Sequence, residues 1–376
     1  MPYSKKMEEG LKTERKRLEW LDAMRGFTMI MVVAFHVSQI SYVETLKTSA
    51  ALPFLVLFRM PLFFFVSGFL AYKSRFVWTA RNTLGLLGKK LKIQVFPALV
   101  FLCVFIVLRK SHFWPAFTSS MASPTKSGYW FTWVLLQMFL VYYLTCFAIR
   151  RLPEKVQHGC LWGLWLLTLV AYEFCYMPKV FDAENCEFLK ASSLLQTMKF
   201  MHFFVMGNLV HRYWDAPALP EGGTDGRGPW QRVLDSAWFF PLICILAFVC
   251  CADVFRWHNL KFVWTNLPRT IAMYCLLFIV VTFFRHYKQW FTQQTAVGRC
   301  LQYVGTRTLD VYLLHFILMP KLPEVGQWMN QHQPNFLIDI LISVLPALVI
   351  VAFCLLISNI LRISPLFSEN FFGRKG

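Results

Sequence analysis

Three ionisable residues, Asp22, Arg25 and His36, share one long apolar run, LEWLDAMRGFTMIMVVAFHVSQI. Each residue of an α-helix advances the chain by about 100°, so a step of eleven returns Arg25 and His36 to one face, and Asp22, about one turn before Arg25, joins them. A charged group within a membrane helix costs roughly 2.5–3.5 kcal/mol on the insertion scale, so such a stripe calls for a function. Histidine titrates near neutrality, and a neutral imidazole in apolar surroundings suits general-base work on a hydroxyl. An arginine suits anionic groups, and a nearby acid fixes its fork. The structural alternative makes Asp22 and Arg25 an interfacial pair ending the helix, with His36 a packing residue.

Other polar side chains fall at comparable depth. At 1.5 Å per residue, His36 stands about 16 Å above Arg25, Arg59 about 19 Å above Tyr72, and His315 about 18 Å above Tyr303. Their lateral convergence is left open by the sequence. Tyr312 shares a face with His315, and Thr308 lies a further turn back, which marks a polar seam. Arg59, Tyr312 and His315 are therefore candidates for substrate binding. Against this, Arg59 can snorkel to the outer surface, and His315 can bond a neighbouring helix purely structurally. Asp310 is expected to pair with Arg307. Lys199 reads as a snorkelling residue, and His202, Glu173 and Gln137 as weaker candidates, structural or at a pore edge rather than catalytic.

The second apolar run ends MPLFFFVSGFL, where Ser67 and Gly68 allow another backbone to approach closely; Ser67 is also a candidate substrate contact. After it comes KSRFVWTARNTLGLLGKKLKIQVFP, read as a cytoplasmic loop carrying Lys73, Arg75, Arg81, Lys89, Lys90 and Lys92. Its charge fits a cytoplasmic position, or alternatively a cradle for phosphates in which Lys89, Lys90 and Lys92 take part.

The elements that must position these groups follow from composition. The chain has 376 residues, 57% hydrophobic, 17% aromatic and only 15% charged, which implies an all-α, polytopic membrane helix bundle. Apolar runs predict about ten transmembrane helices at 21–42, 52–72, 93–109, 129–149, 158–177, 196–212, 237–254, 268–284, 303–320 and 336–360. Most of the 38 Lys and Arg fall on one side if both termini are cytoplasmic, so the N-in, C-in orientation is expected. That bias also accounts for the net charge of +18 without nucleic acid. Segments 1–20 and 361–376 read as cytoplasmic tails around a membrane domain, 21–360. A cytoplasmic linker spans 213–236, glycine- and proline-rich over 215–230. The tryptophans near span ends suggest an aromatic belt. No cleavable signal peptide, disulfide framework, metal site or bound cofactor is expected. No internal repeat is evident, which counts weakly against an inverted-repeat transporter.

Taken in order, several of these segments resemble the acyltransferase 3 family of membrane enzymes. They are the Arg25–His36 spacing, PLFFFVSGFL, the basic stretch KKLKIQVFP, YWFTWVLL, and VGTRTLDVYLLH. The resemblance implies transfer of an acyl group, commonly acetyl, from cytoplasmic acyl-coenzyme A as co-substrate to a hydroxyl of a glycan or lipid-linked glycan. It implies a multi-pass protein of the cell (inner) membrane, with the lipid bilayer as its surroundings, and a bacterial surface polysaccharide as a typical acceptor. His36 matches the family's essential histidine and Arg25 its paired arginine. Lys89 and Lys92 stand where relatives often have Arg-x-x-Arg, keeping the charge but losing the bidentate fork. Asp310 departs from the small residue usual before the tyrosine. A general-base His36 and a transient acyl-histidine both fit this picture. The rival class is a secondary transporter or glycan flippase, and a third is a catalytically silent scaffold.

Overall fold

The structure, a computed structural model, describes residues 18–74, 76–109, 112–177, 180, 186–214, 229–251 and 266–364. Residues 1–17 of the expected tail 1–20, residues 365–376 of the expected tail 361–376, Arg75, and most of the linker (215–228) lie outside the described residues. The described chain is helical: α1 (Glu19–His36), α2 (Ala51–Ala71), α3 (Ala80–Lys90), α4 (Phe96–Arg109), α5 (Phe113–Ala122), α6 (Trp130–Ile149), α7 (Glu154–Ala171) and α8 (Glu187–Ser192). These are followed by α9 (Leu194–Tyr213), α10 (Pro229–Leu234), α11 (Phe239–Cys251), α12 (Asn266–His286), α13 (Ala296–Thr306), α14 (Thr308–Leu318), α15 (Pro323–His332) and α16 (Phe336–Leu361).

Among the described residues, seven helical stretches are long and apolar enough to cross a bilayer: Glu19–Ser41, Ala51–Ala71, Ala80–Arg109, Trp130–Ile149, Glu154–Tyr176, Leu267–His286 and Phe336–Leu361. The stretches at the sixth, seventh and ninth expected positions fall short of that standard. Helix α9 is long but carries Lys199, His202, Asn208, His211 and Arg212, while α11 and α14 are short. The ninth segment, expected as one helix over 303–320, is instead two helices. It breaks at Arg307, whose backbone (φ −119°, ψ 23°) leaves the helical region. Lys89, Lys90 and Lys92, expected on a loop, lie on α3 and the π-helical turn Leu91–Val95 that joins it to α4. One continuous helical rod replaces the loop, carrying Gly85 and Gly88 within it and meeting no proline before Pro97.

Helix α1 is the centre of the packing, with α13, α16, α2, α12 and α14 against it. Membrane helices gain no hydrophobic drive from leaving lipid for protein, so close backbone approach supplies dispersion contacts instead. At the α1–α13 crossing a side chain on Gly26 would overlap the Leu301 carbonyl, and one on Gly305 would overlap the Asp22 carbonyl. The α2–α9 crossing has the same design: Gly68 faces the Phe204 carbonyl, and Gly207 that of Phe65. The small-residue signal at the end of the second run therefore marks a helix contact.

Two carboxylates tie α16 into this core. Asp339 Oδ2 accepts from the Ala50 and Ala51 amides at 2.7 and 3.1 Å and from Ser49 Oγ at 3.0 Å, capping the start of α2 from a distant helix. Asp310 pairs with Arg362 at 2.7 Å and accepts from Ser358 Oγ at 2.6 Å. The expected Asp310–Arg307 pair does not form. Arg307 sits at the helix break, where it bonds Tyr303 and Asn359.

Candidate active site

Helix α1 does not end at His36. It widens into a π-helical turn, Val37–Ser41, closed by the Tyr42 amide donating to the Val37 carbonyl at 3.1 Å. Such turns are frequent at functional sites because they re-aim side chains around one extra residue. Ser38 and Ser343 hydroxyls meet at 2.6 Å and hold the turn against α16. Gln39, one turn beyond His36, is exposed and lines the same space.

That space has two chambers. The first, about 460 Å³, runs along α1 from Arg25 to His36 and Gln39, with Lys90 and Gln94 across from Arg25 and Arg59 across from His36. Ser67, Leu70, Phe139 and Tyr312 complete much of its wall. The second, about 730 Å³, extends from His36 past Ser41 and Val43, bounded by Arg109, Thr125, Ser127 and Lys321. His36, Gln39, Gly128 and Trp130 belong to both walls. Among the described residues no Asp or Glu lines either chamber, and the carboxylate of Asp22 reaches the first only through its pair with Arg25.

Each expected site residue can be placed. Arg25 donates from Nη1 to Asp22 Oδ1 at 3.1 Å and from Nη2 to Thr308 Oγ1 at 3.1 Å, which leaves its fork braced at the far end of the first chamber. Asp22 thus meets Arg25 one helical turn away, as their spacing suggests. Arg59 does not snorkel: it is 8% exposed, and its guanidinium lies over the Phe35 ring at 3.4 Å, on the level of His36. Pro61, two residues later, cannot donate to the Leu57 carbonyl and so loosens α2 beside Arg59. Ser67 spends its hydroxyl hydrogen on the Phe63 carbonyl at 2.9 Å while lining the first chamber. Tyr312 lines it too, its hydroxyl donating to the Gly128 carbonyl at 3.3 Å.

Among the three lysines, Lys90 lines the first chamber, its ammonium 3.9 Å from the Phe139 ring. Lys89 and Lys92 are exposed and line neither chamber, because the helix turns them about 100° and 200° away from Lys90. His315, expected to contact substrate, lines neither chamber. It is fully buried behind His36, its Nε2 3.1 Å from His36 Nδ1, with ring centroids 5.1 Å apart.

Several wall residues had no signal of their own in the sequence. Gln39 was legible only as a polar residue close after His36. Trp130 reads as an interfacial belt residue, yet it stacks on Phe200 and faces both chambers. Gly128 is held at φ +101°, and a side chain there would overlap the Phe316 ring, which in turn packs 4.9 Å from His36. That glycine lets the 126–129 loop press on the ring beside the histidine. The weaker polar residues bond neighbouring helices and loops. Gln137 bridges Ser192 and Thr197, His202 bonds Tyr274 at 2.8 Å, and Glu173 accepts from Thr270. Lys199 is half-buried near the Tyr176 and Phe200 rings.

A long chamber with cations at one end, an imidazole at the other and a second chamber behind it can bring two reactants to one nitrogen. Comparison with curated proteins and with solved structures gives no match. The family model described as the acyltransferase domain matches residues 18–361, which takes in every helix described above and both chambers. With that match over nearly its whole length, the chain belongs to the acyltransferase 3 family of multi-pass membrane proteins.

Proposed function

We propose that this protein is an O-acyltransferase that moves an acyl group, acetyl in the simplest case, from cytoplasmic acyl-coenzyme A to a hydroxyl of an extracytoplasmic or lipid-linked glycan. The observation that carries this reading is His36 in the wall common to two chambers, with Arg25 and Lys90 at the distant end of one of them. With the N-terminus inside, the Arg25–Lys90 end opens toward the cytosol, where a coenzyme's phosphates meet two cations. The pantetheine arm is long and thin and suits a chamber that follows α1 for about eleven residues, or about 16 Å. The second chamber then receives the acceptor from the opposite side, with Arg109 and Lys321 near its mouth.

In the reaction, His36 Nε2 removes the acceptor's hydroxyl proton as that oxygen bonds the thioester carbonyl carbon. The carbon–sulfur bond breaks, and the imidazolium returns the proton to the departing thiolate, giving an ester and free coenzyme A thiol. Proton transfer of this kind is typically worth about 10²–10⁴-fold in rate. The Arg59 guanidinium, on the same level, can stabilise the carbonyl oxygen as it gains negative charge.

The test is labelled acetyl-coenzyme A supplied to membranes containing the protein, followed by identification of the glycan or lipid that acquires label. His36→Ala should abolish labelling while the protein stays inserted and abundant. Undiminished product would remove the catalytic assignment. Movement of a solute without consumption of acyl-coenzyme A would replace the reading with that of a transporter.

A further inference from the structure

Resting on that reading of His36, we infer that His315 is a positioning residue that fixes His36 as its Nδ1–H tautomer and so leaves Nε2 bare toward the substrates. The inference follows from a chain of three atoms whose donors can be assigned by elimination. His315 Nδ1 lies 3.0 Å from the Val311 carbonyl oxygen. A carbonyl only accepts, so this nitrogen carries the hydrogen. In a neutral ring the other nitrogen, Nε2, then has a lone pair and no hydrogen. His315 Nε2 is 3.1 Å from His36 Nδ1, so His36 Nδ1 must donate. A neutral His36 is left with its lone pair on Nε2.

The surroundings keep this chain in one arrangement. His315 is 0% exposed, so no water competes for its nitrogens. The Val311 carbonyl lies one turn back on the same helix, so the bond to it is held by α14 itself. Phe35 and Phe316 pack on His36 at ring-centroid distances of 5.4 and 4.9 Å and restrict its rotation. His36 lines both chambers, and its one hydrogen bond among the described residues is made by Nδ1. Among the described residues no carboxylate lines either chamber, and the acceptor facing His36 Nδ1 is His315 Nε2.

A carboxylate is the usual partner behind a catalytic histidine; here the acceptor is a second imidazole. The function is the same: the wrong tautomer would present an N–H to the acceptor hydroxyl and could not take its proton. When Nε2 gains that proton, both nitrogens of His36 bear hydrogen, and the bond from Nδ1 to His315 becomes charge-assisted and stronger. His315 thus favours the transition state without touching substrate. An incorrect tautomer in a comparable catalytic histidine lowers kcat by about 10⁴.

Two variants and one spectroscopic readout test this. His315→Phe keeps ring volume but offers no acceptor; His315→Gln places an amide oxygen near the position of Nε2. The expected result is a loss in kcat of about 10²-fold or more for His315→Phe, with the KM for both substrates within about threefold. His315→Gln should recover kcat to within about tenfold of the parent. A His315→Phe protein with kcat within threefold of the parent overturns the inference. So does a folded His315→Gln protein as impaired as His315→Phe. Independently of turnover, nitrogen NMR of ¹⁵N-histidine-labelled protein reports the His36 tautomer, its signals identified by their loss in His36→Gln. The Nδ1–H form is expected in the parent and a shift toward Nε2–H in His315→Phe; a parent protein in the Nε2–H form overturns the inference as well. Should the parent protein transfer no acyl group, the proposed reaction fails while this spectrum still decides the tautomer.

Discussion

Asp310 on α14 holds Arg362, the residue just past the end of α16. Its Oδ2 accepts from Ser358 Oγ at 2.6 Å and from Arg362 Nη2 and Nε at 2.7 and 3.1 Å, with only 3% of the Asp310 side chain and 15% of the Arg362 side chain exposed. Asp310→Asn keeps the shape but removes the charge that compensates Arg362. Breaking a buried pair from one side costs about 3–5 kcal/mol because an uncompensated charge is left behind. Arg362, just after the last turn of α16, can swing toward the headgroups once released, so the low end, about 3 kcal/mol, is expected. Arg362→Gln alone should cost a similar amount, and the double variant less than the sum, with a coupling of about 1–3 kcal/mol. Arg307→Ala should fall within about 0.5 kcal/mol of the parent, since its partners Tyr303 and Asn359 lie at an exposed helix break. The assay is reversible unfolding in detergent micelles followed by tryptophan fluorescence. Asp310→Asn within about 0.5 kcal/mol of the parent, or an Arg307→Ala cost equal to that of Asp310→Asn, would refute the assignment.

Two further perturbations read the first chamber and the loop after α1. Lys90→Gln should raise the donor KM about tenfold, which is about 1.4 kcal/mol, with kcat within threefold, whereas Lys89→Gln and Lys92→Gln, exposed and outside the chamber, should each shift it by less than about threefold; equal effects from all three would return the lysines to a topological role. Glu44, buried on the loop after α1, has its carboxyl pushed up to about 7, first by burial and then by the Asp339 carboxylate, with the Ser38 hydroxyl acting against the rise. A folded pKa above the unfolded value means that the stabilisation is complete below about 4.5 and is lost as pH rises through about 7. Glu44→Gln should therefore show a flatter stability profile between pH 5 and 8 than the parent, and unchanged slopes would show that another group carries the dependence.

Much of this molecule is written along the chain. Helical runs, the face shared by Asp22, Arg25 and His36, and the close approach at Gly68 depend on periodicity and side-chain size, which are local properties. The Arg25–Asp22 contact could be anticipated because both partners ride one helix. Partners of buried charges could not, because a guanidinium or carboxylate is satisfied by whichever helix the fold brings against it. Asp310 therefore chose Arg362 on α16 rather than its near neighbour in sequence. Lys90 was separated from Lys89 and Lys92 by helix rotation once the supposed loop became a rod. The break at Arg307 falls between a helix packed on α1 and one packed on α16, whereas the run itself reads as continuous.

The imidazole pair makes the same point at the site itself. Local spacing determined that His36 stands on a face with Arg25, about three helical turns away, and that His315 lies at a similar depth on another span. Nothing along the chain told whether those two rings would face substrate together or stand one behind the other. That was decided by α14 crossing α1 closely enough to put Nε2 of one ring 3.1 Å from Nδ1 of the other. Periodicity governs direction around one helix axis, whereas the distance between two axes is a property of the packed bundle alone.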